Sequence, residues 1–189
     1  MTSAAGLPAP LLPATLLGAN LLGAVLAGGG STRFGSDKAL ALLGGQTLLE
    51  HAVARLQGWC GAVVAVGRDS APVTTVPDWP GPGMGPLGGI AGALRCARER
   101  GLGGVLTLGV DSLGLPDDLP ARLAPGPAYV ADQPVVALWP VTALAALEAI
   151  LHGDGRHSVR ALAEATAACR VVLPGASINV NRPEDLAGL

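Results

Sequence analysis

Short apolar runs that alternate with amphipathic segments constrain the fold of this chain more than any other feature. Three runs, at 21–27, 62–66 and 104–110, are uncharged and have the length of buried strands. Between them, apolar residues recur at helical spacing at 48–56 and 90–100. Because strands alternate with helices in α/β proteins, the sequence predicts an α/β sheet with helices on both faces.

The rest of the chain continues this alternation. Residues 72–89 are too rich in Pro and Gly to be regular structure throughout. The further elements predicted are a helix at 116–123, a strand pair at 128–131 and 135–139, helices at 141–151 and 158–168, and a last strand at 171–173. With 189 residues and no repeat or linker, the chain is expected to form one domain over residues 21–189.

The first 20 residues are expected to be a flexible apolar extension. No Lys or Arg precedes this uncharged segment, so the positive region of a signal peptide is missing. Pro8, Pro10 and Pro13 interrupt the apolar run early, which argues against a membrane span. The sequence therefore predicts no membrane association.

Charge and cysteine usage exclude two classes of partner. Twelve basic residues form no dense run, and the formal net charge is −2, so a nucleic-acid surface is not expected. Cys60, Cys96 and Cys169 form no C-x-x-C pair or Cys/His cluster, which argues against zinc. The odd number of cysteines, without a secretory signal, is typical of a reducing cytoplasm.

A glycine-rich loop follows the first apolar run. Gly28, Gly29 and Gly30 allow backbone N–H groups to approach an anion closely, while Arg33 and Lys38 supply positive charge. The pattern favours phosphate binding, although a plain surface loop would also carry glycines. It matches neither the P-loop nor the dinucleotide fingerprint.

The string LAGGGSTRFGSDKAL at 26–40 indicates a protein family far more specifically than its glycines alone do. It resembles the signature of the molybdenum cofactor guanylyltransferases, the MobA-like nucleotidyltransferases. Further segments resemble the family's later motifs in the same order: Gly85 to Ile90 after the acidic Asp78, the strand-end Asp111, Gln133 to Leu138, Arg156 to Leu162, and Asn179 to Leu186.

This resemblance implies a single three-layer α/β/α Rossmann-like domain with a mostly parallel sheet. It also implies a Mg²⁺-dependent transfer of GMP from GTP to the phosphate of molybdopterin, which forms the guanine dinucleotide cofactor and pyrophosphate. Transient contact with enzymes that use the molybdenum cofactor would fit such a product.

The resemblance implies a role for each matching residue. Leu26, Ala27, Gly28 and Gly29 would line the nucleotide, Arg33 and Lys38 would act on its phosphates, Asp78 would contact the nucleoside, Asp111 would hold Mg²⁺, and Asn179 and Asn181 would lie near the acceptor. Asp111 could instead merely cap the turn that follows it.

Three departures from the family pattern leave the substrates open. Ser112 and Leu113 follow Asp111 where the family has x-Pro, Gln133 replaces a frequent His, and Gly67 stands near the place of a frequent Asn. A related enzyme that uses CTP or a sugar phosphate therefore remains an alternative, as does a non-catalytic nucleotide-binding protein.

Overall fold

Strands and helices follow one another in the predicted alternating order. The computed structural model describes residues 18–28 and 37–174, and the backbone of residues 178–179. The strands are β1 (Leu21–Leu26), β2 (Leu42–Leu43), β3 (Gln46–Thr47), β4 (Ala62–Val66), β5 (Thr74–Val76), β6 (Gly104–Gly109), β7 (Ser112–Leu113), β8 (Ala128–Val130), β9 (Ala137–Pro140), β10 (Cys169–Val171) and β11 (Ile178–Asn179). The α-helices are α1 (Leu48–Gln57), α2 (Gly85–Glu99), α3 (Leu119–Leu123), α4 (Leu144–His152) and α5 (Val159–Ala165), with 3₁₀ turns at Lys38–Leu40 and Val141–Ala143.

Seven strands form the central sheet, in the order β10-β8-β9-β6-β1-β4-β5. Within it, β9 runs antiparallel to both of its neighbours, and every other pairing is parallel. The predicted mostly parallel sheet is therefore confirmed. The chain proceeds from β1 outward through β4 to β5, and then crosses to β6 on the other side of β1. The carboxyl ends of β1 and β6 thus flank a topological switch point, where open α/β sheets bind ligands.

Alternate residues of β1 belong to two separate hydrophobic layers. Leu21 and Val25 pack with α1 and α3 on one face of the sheet. Leu22 and Ala24 pack with α2, α4 and α5 on the other face. Because successive strand residues point to opposite faces, one short apolar strand supports both helical layers. This confirms the three-layer arrangement.

The boundaries of α2 differ from the prediction. A helix was expected at 90–100, but α2 begins at Gly85, so the segment that resembles the family's second loop forms its first turns. Pro86 is accommodated because a proline in the first turn loses no helical hydrogen bond. An ideal Cβ on Gly89 would lie 3.0 Å from Leu26 Cδ2, so the glycine lets this turn pack closely on β1. Tertiary packing here overrides a composition that is poor for helices.

The predicted elements after residue 115 exist, with shifted ends. The predicted helix at 116–123 is confined to α3, the one at 141–151 begins as a 3₁₀ turn, and the one at 158–168 ends at Ala165. The last strand was predicted two residues late, because Ala167 adopts a positive φ of 51° and the chain enters β10 at Cys169. Within the described ranges, no helix is long and apolar enough to cross a membrane.

Candidate nucleotide site

A cavity of about 670 Å³ opens beside the carboxyl ends of β1 and β6. This volume lies within the range typical of small-molecule sites. Its lining includes six of the residues that the sequence analysis selected: Leu26, Ala27, Gly28, Lys38, Asp78 and Asp111. Gly29, Arg33 and Asn181 lie outside the described residues. Residues from distant parts of the chain therefore meet at the switch point.

Lys38 and Asp111 form an ion pair at this cavity. Lys38 Nζ lies 2.7 Å from Asp111 Oδ2, and their side chains are 12% and 24% exposed. Lys38 opens the 3₁₀ turn, and Asp111 follows β6 by two residues. In the turn after Asp111, the main-chain oxygen of Asp111 accepts a hydrogen bond from Leu113 N–H at 3.2 Å. The Asp111 side chain is thus directed to Lys38 rather than used as a cap.

Asp78 contributes a half-buried carboxylate to the cavity lining. It makes no hydrogen bond or ion pair with any residue in the described part of the chain, and burial raises its pKa above the ordinary value. Oδ1 lies 3.2 Å and 3.6 Å from the ideal Cβ positions of Gly67 and Gly89, so glycines make room for it. Such a carboxylate is suited to accept hydrogen bonds from a ligand that shares the cavity.

The backbones that follow β1 and β4 approach each other closely at Gly28 and Gly67. Gly67 has φ +78°, and an ideal Cβ there would lie 2.7 Å from Gly28 Cα. No side chain fits without moving the backbone of the cavity wall. Gly67 stands near the place of the frequent Asn of the family pattern, and this close approach requires glycine there in this chain.

Replacing Gly67 with Ala is expected to lower the free energy of unfolding by about 2–5 kcal/mol. The left-handed conformation costs alanine about 1–2 kcal/mol, and forced overpacking typically costs about 1–3 kcal/mol. Gly45→Ala is the matched control, because Gly45 has φ +85° with open space around its ideal Cβ. Urea denaturation of both variants isolates the effect of packing against Gly28. Equal losses of stability in Gly67→Ala and Gly45→Ala would contradict a role for this packing.

The segment after Asp111 forms a short ribbon instead of the family's x-Pro turn. Ser112 pairs with Asn179 and Leu113 with Ile178, so β7 and β11 are antiparallel. A proline in place of Leu113 would remove the N–H group that bonds to the Asp111 main-chain oxygen. The ribbon brings the Asn179 backbone beside the residue that follows Asp111; the Asn179 side chain lies outside the described part of the structure.

The connection between β8 and β9 supplies another wall, lined by Asp132, Gln133, Pro134 and Val135. Gln133 is 4% exposed. The buried Thr107 Oγ1 donates to the Val135 carbonyl at 2.6 Å and also contacts the Ala137 carbonyl at 3.2 Å. Sequence analysis placed Gln133 in a motif but missed this anchor, because a lone Thr within an apolar strand carries no distinctive signal.

Asp37 and Arg68 were also missed. Arg68 follows Gly67 directly after β4, and its Nη2 lies 2.8 Å from Asp37 Oδ2. This hydrogen-bonded Arg68 guanidinium lowers the pKa of Asp37 below its ordinary value. Asp37 lines the cavity beside Lys38. Its position before a short helical turn is a capping signal that the sequence does display.

Comparisons with known proteins point to one family. The model of the MobA-like NTP transferase domain matches residues 23–172. A molybdenum cofactor guanylyltransferase of Acidiphilium cryptum is 40% identical over 147 residues, covering 72% of this chain and 75% of the relative. One from Rhizobium johnstonii is 38% identical over 182 residues, covering 84% and 86%.

A solved structure shares the fold. Molybdopterin-guanine dinucleotide biosynthesis protein A from Archaeoglobus fulgidus superimposes with a TM-score of 0.68 at 20% identity, covering 88% of this chain and 95% of that one. The domain match spans most of the chain, including β1 from Gly23 onward, Lys38, Asp78 and Asp111. This chain therefore belongs to the MobA-like NTP transferase family and is a nucleotidyltransferase.

Proposed function

We propose that this enzyme transfers GMP from GTP to the terminal phosphate of molybdopterin. The observation that carries the proposal is the Lys38–Asp111 pair in the lining of a nucleotide-sized cavity beside the carboxyl ends of β1 and β6. The names of the relatives at 38–40% identity support the choice of substrates. An acceptor phosphate oxygen attacks the α-phosphorus of GTP. The bond from that phosphorus to the bridging oxygen breaks, and its electron pair leaves on pyrophosphate.

Backbone groups and a helix dipole provide the binding surface. Leu26, Ala27 and Gly28 line the cavity at the end of β1, and Gly29 continues this wall in our proposal. Gly85 and Pro86, in the first turn of α2, line the cavity as well. Met84 provides no side-chain cap for α2, so backbone N–H groups of its first turn are available to donate to the nucleotide.

Lys38 exchanges its partner when the triphosphate binds. Without nucleotide, its ammonium group neutralises Asp111 across 2.7 Å. A triphosphate brings more negative charge than one carboxylate, so the ammonium turns toward the phosphate oxygens. There it stabilises the charge that develops as pyrophosphate leaves. Arg33 is proposed to assist on the same phosphates.

Asp111 fits a Mg²⁺ site completed by the substrate. No cluster of three potential ligands exists among the described residues, and Mg²⁺ commonly uses one or two carboxylates together with phosphate oxygens and water. Asp111 supplies a partly exposed carboxylate of that kind. Bound Mg²⁺ would neutralise charge on the phosphates. Asp111 would then separate from Lys38, and Mg²⁺ would take the place of the ammonium group as its cationic partner.

Asp78 is the proposed determinant of base preference. Its half-buried carboxylate has no partner among the described residues, so it can accept hydrogen bonds from guanine N1–H and the amino group, or from ribose hydroxyls. Adenine cannot reproduce the guanine pattern. A site that leaves buried polar groups unpaired with the wrong base discriminates strongly.

GTP is therefore expected to bind at least about tenfold more tightly than ATP or CTP, the scale of one hydrogen bond to a charged group. Calorimetric titration of each nucleotide with Mg²⁺ measures this preference. Asp78→Asn should reduce it, because an amide offers one acceptor oxygen where the carboxylate offers two. If CTP bound with an affinity equal to or higher than that of GTP, the enzyme would instead be a related nucleotidyltransferase of the same fold that uses CTP.

Detection of the product tests the acceptor. Incubation with GTP, Mg²⁺ and molybdopterin should yield pyrophosphate and the guanine dinucleotide, identified by mass. A sugar phosphate that gave turnover in place of molybdopterin would overturn the proposal. We further propose that Asn179 and Asn181 lie near the acceptor, and that a cytoplasmic enzyme passes its product on through transient contact with molybdenum cofactor enzymes. The extension expected at residues 1–20 must end before Gly18 in this proposal, because Gly61 N–H donates to the Gly18 carbonyl and Gly103 N–H donates to the Asn20 carbonyl, both at 2.9 Å.

A further inference from the structure

Arg68 holds Asp37 through two separate contacts. Its Nη2 lies 2.8 Å from Asp37 Oδ2, and its Nη1 donates to Oδ1 at 3.1 Å. Its Nε also donates to the Ser70 carbonyl at 3.3 Å, which fixes the plane of the guanidinium group. The Arg68 side chain is 16% exposed. A bidentate pair of this kind is more specific in geometry than a single surface contact.

Asp37 in turn organises the turn that carries Lys38. Asp37 Oδ1 accepts from Ala39 N–H at 3.1 Å, and its main-chain oxygen accepts from Leu40 N–H at 3.0 Å. Ala39 itself is 2% exposed. The turn is therefore fixed at its start by Arg68 and in its middle by burial of Ala39. Lys38 lies between these two points.

Charge provides a second reason for the pairing. Asp37 lines the same cavity as Lys38, and an unpaired carboxylate there would repel a triphosphate. The Arg68 guanidinium group contacts both carboxylate oxygens of Asp37 and thus neutralises the charge of that carboxylate. Arg68 is not among the residues that line the cavity. Its two contacts with Asp37 connect it to the turn that carries Lys38.

We propose that Arg68 is a positioning residue, which clamps Asp37 so that Lys38 is held in place for the triphosphate. The proposal rests on the phosphate-binding role of Lys38 in the proposed function. It links the end of β4 to the turn that follows the glycine-rich loop. Nothing in the glycine-rich motif itself indicates this link.

A double-mutant cycle tests the proposal. Arg68→Met, Lys38→Ala and the double variant are compared for pyrophosphate release and for the Kd of a non-hydrolysable triphosphate analogue, using the nucleotide that the wild type turns over best. Arg68→Met should cost at least about tenfold when Lys38 is present and less than about twofold when it is absent, since groups that act as a unit are non-additive. Choosing the nucleotide in this way keeps the test valid if the guanine preference fails.

A conservative variant and a direct probe complete the test. Arg68→Lys should recover only part of the activity, because an ammonium group cannot reproduce the two parallel contacts that the guanidinium group makes with the Asp37 carboxylate.

Lys38 is the only lysine in the chain, so its ¹⁵Nζ resonance reports its pairing with Asp111 directly. Arg68→Met, or Arg68→Gln if Met does not fold, should alter that resonance without adding a second lysine. Arg160→Met, which removes an exposed ion pair elsewhere, should leave turnover and the resonance unchanged. Equal losses in both Lys38 backgrounds, or an unchanged Lys38 resonance, would overturn the proposal.

Discussion

Asp111→Asn is expected to lower Mg²⁺-dependent pyrophosphate release by at least about a thousandfold, because the variant loses both the metal-binding charge and the electrostatic stabilisation that depends on it. The amide keeps an oxygen that can accept a hydrogen bond from Lys38 Nζ, which lies 2.7 Å from Asp111 Oδ2. The free energy of unfolding should therefore fall by no more than about 2 kcal/mol. Pyrophosphate release at varied Mg²⁺ and thermal unfolding measure the two effects.

Asp117→Asn is the matched control for this prediction. Asp117 also pairs with a cation, since its Oδ1 lies 2.7 Å from Arg55 Nη1, but its side chain is 93% exposed and it does not line the cavity. Its replacement should leave turnover unchanged, because exposed ion pairs contribute little. If Asp111→Asn kept its metal-dependent activity and lost only stability, Asp111 would have a purely structural role.

Lys38→Ala is expected to lower turnover by at least about a hundredfold, the typical effect of removing one electrostatic interaction from an active site. The fold should survive, since Lys38 lies in a 3₁₀ turn that Asp37 and the buried Ala39 hold on either side. Steady-state kinetics and circular dichroism of the variant measure these outcomes. Near-normal turnover in a folded variant would remove Lys38 from the mechanism.

The Lys38–Asp111 ion pair makes a further difference between the two variants. In Lys38→Ala, Asp111 has no ammonium partner, so nucleotide-free protein should bind Mn²⁺, a probe for Mg²⁺, more tightly than the wild type. In Asp111→Asn the same titration should show weaker binding. Electron paramagnetic resonance of Mn²⁺ separates these results without any turnover. Identical Mn²⁺ affinities in all three proteins would contradict the exchange of partners at Lys38.

Local patterns in the sequence determine the main elements and part of the cavity lining. β1, β4 and β6 follow from uncharged runs of strand length, and α1 follows from apolar residues at helical spacing that bury Leu49, Val53 and Leu56. The place of Asp111 after an apolar strand predicts its position at the carboxyl edge of the sheet, where it lies. These inferences succeed because periodicity and strand ends depend on neighbours in sequence.

Tertiary structure alone decides how the cavity is assembled. Gly67 must be glycine because Gly28 meets it from another strand, and α2 starts early because Gly89 packs on Leu26. The partners of Lys38 and Asp37 lie 73 and 31 residues away along the chain, at Asp111 and Arg68. Such pairings arise only when the sheet brings strand ends together. Their energy depends on the distance between the charged groups in space, and residue spacing along the chain does not give that distance.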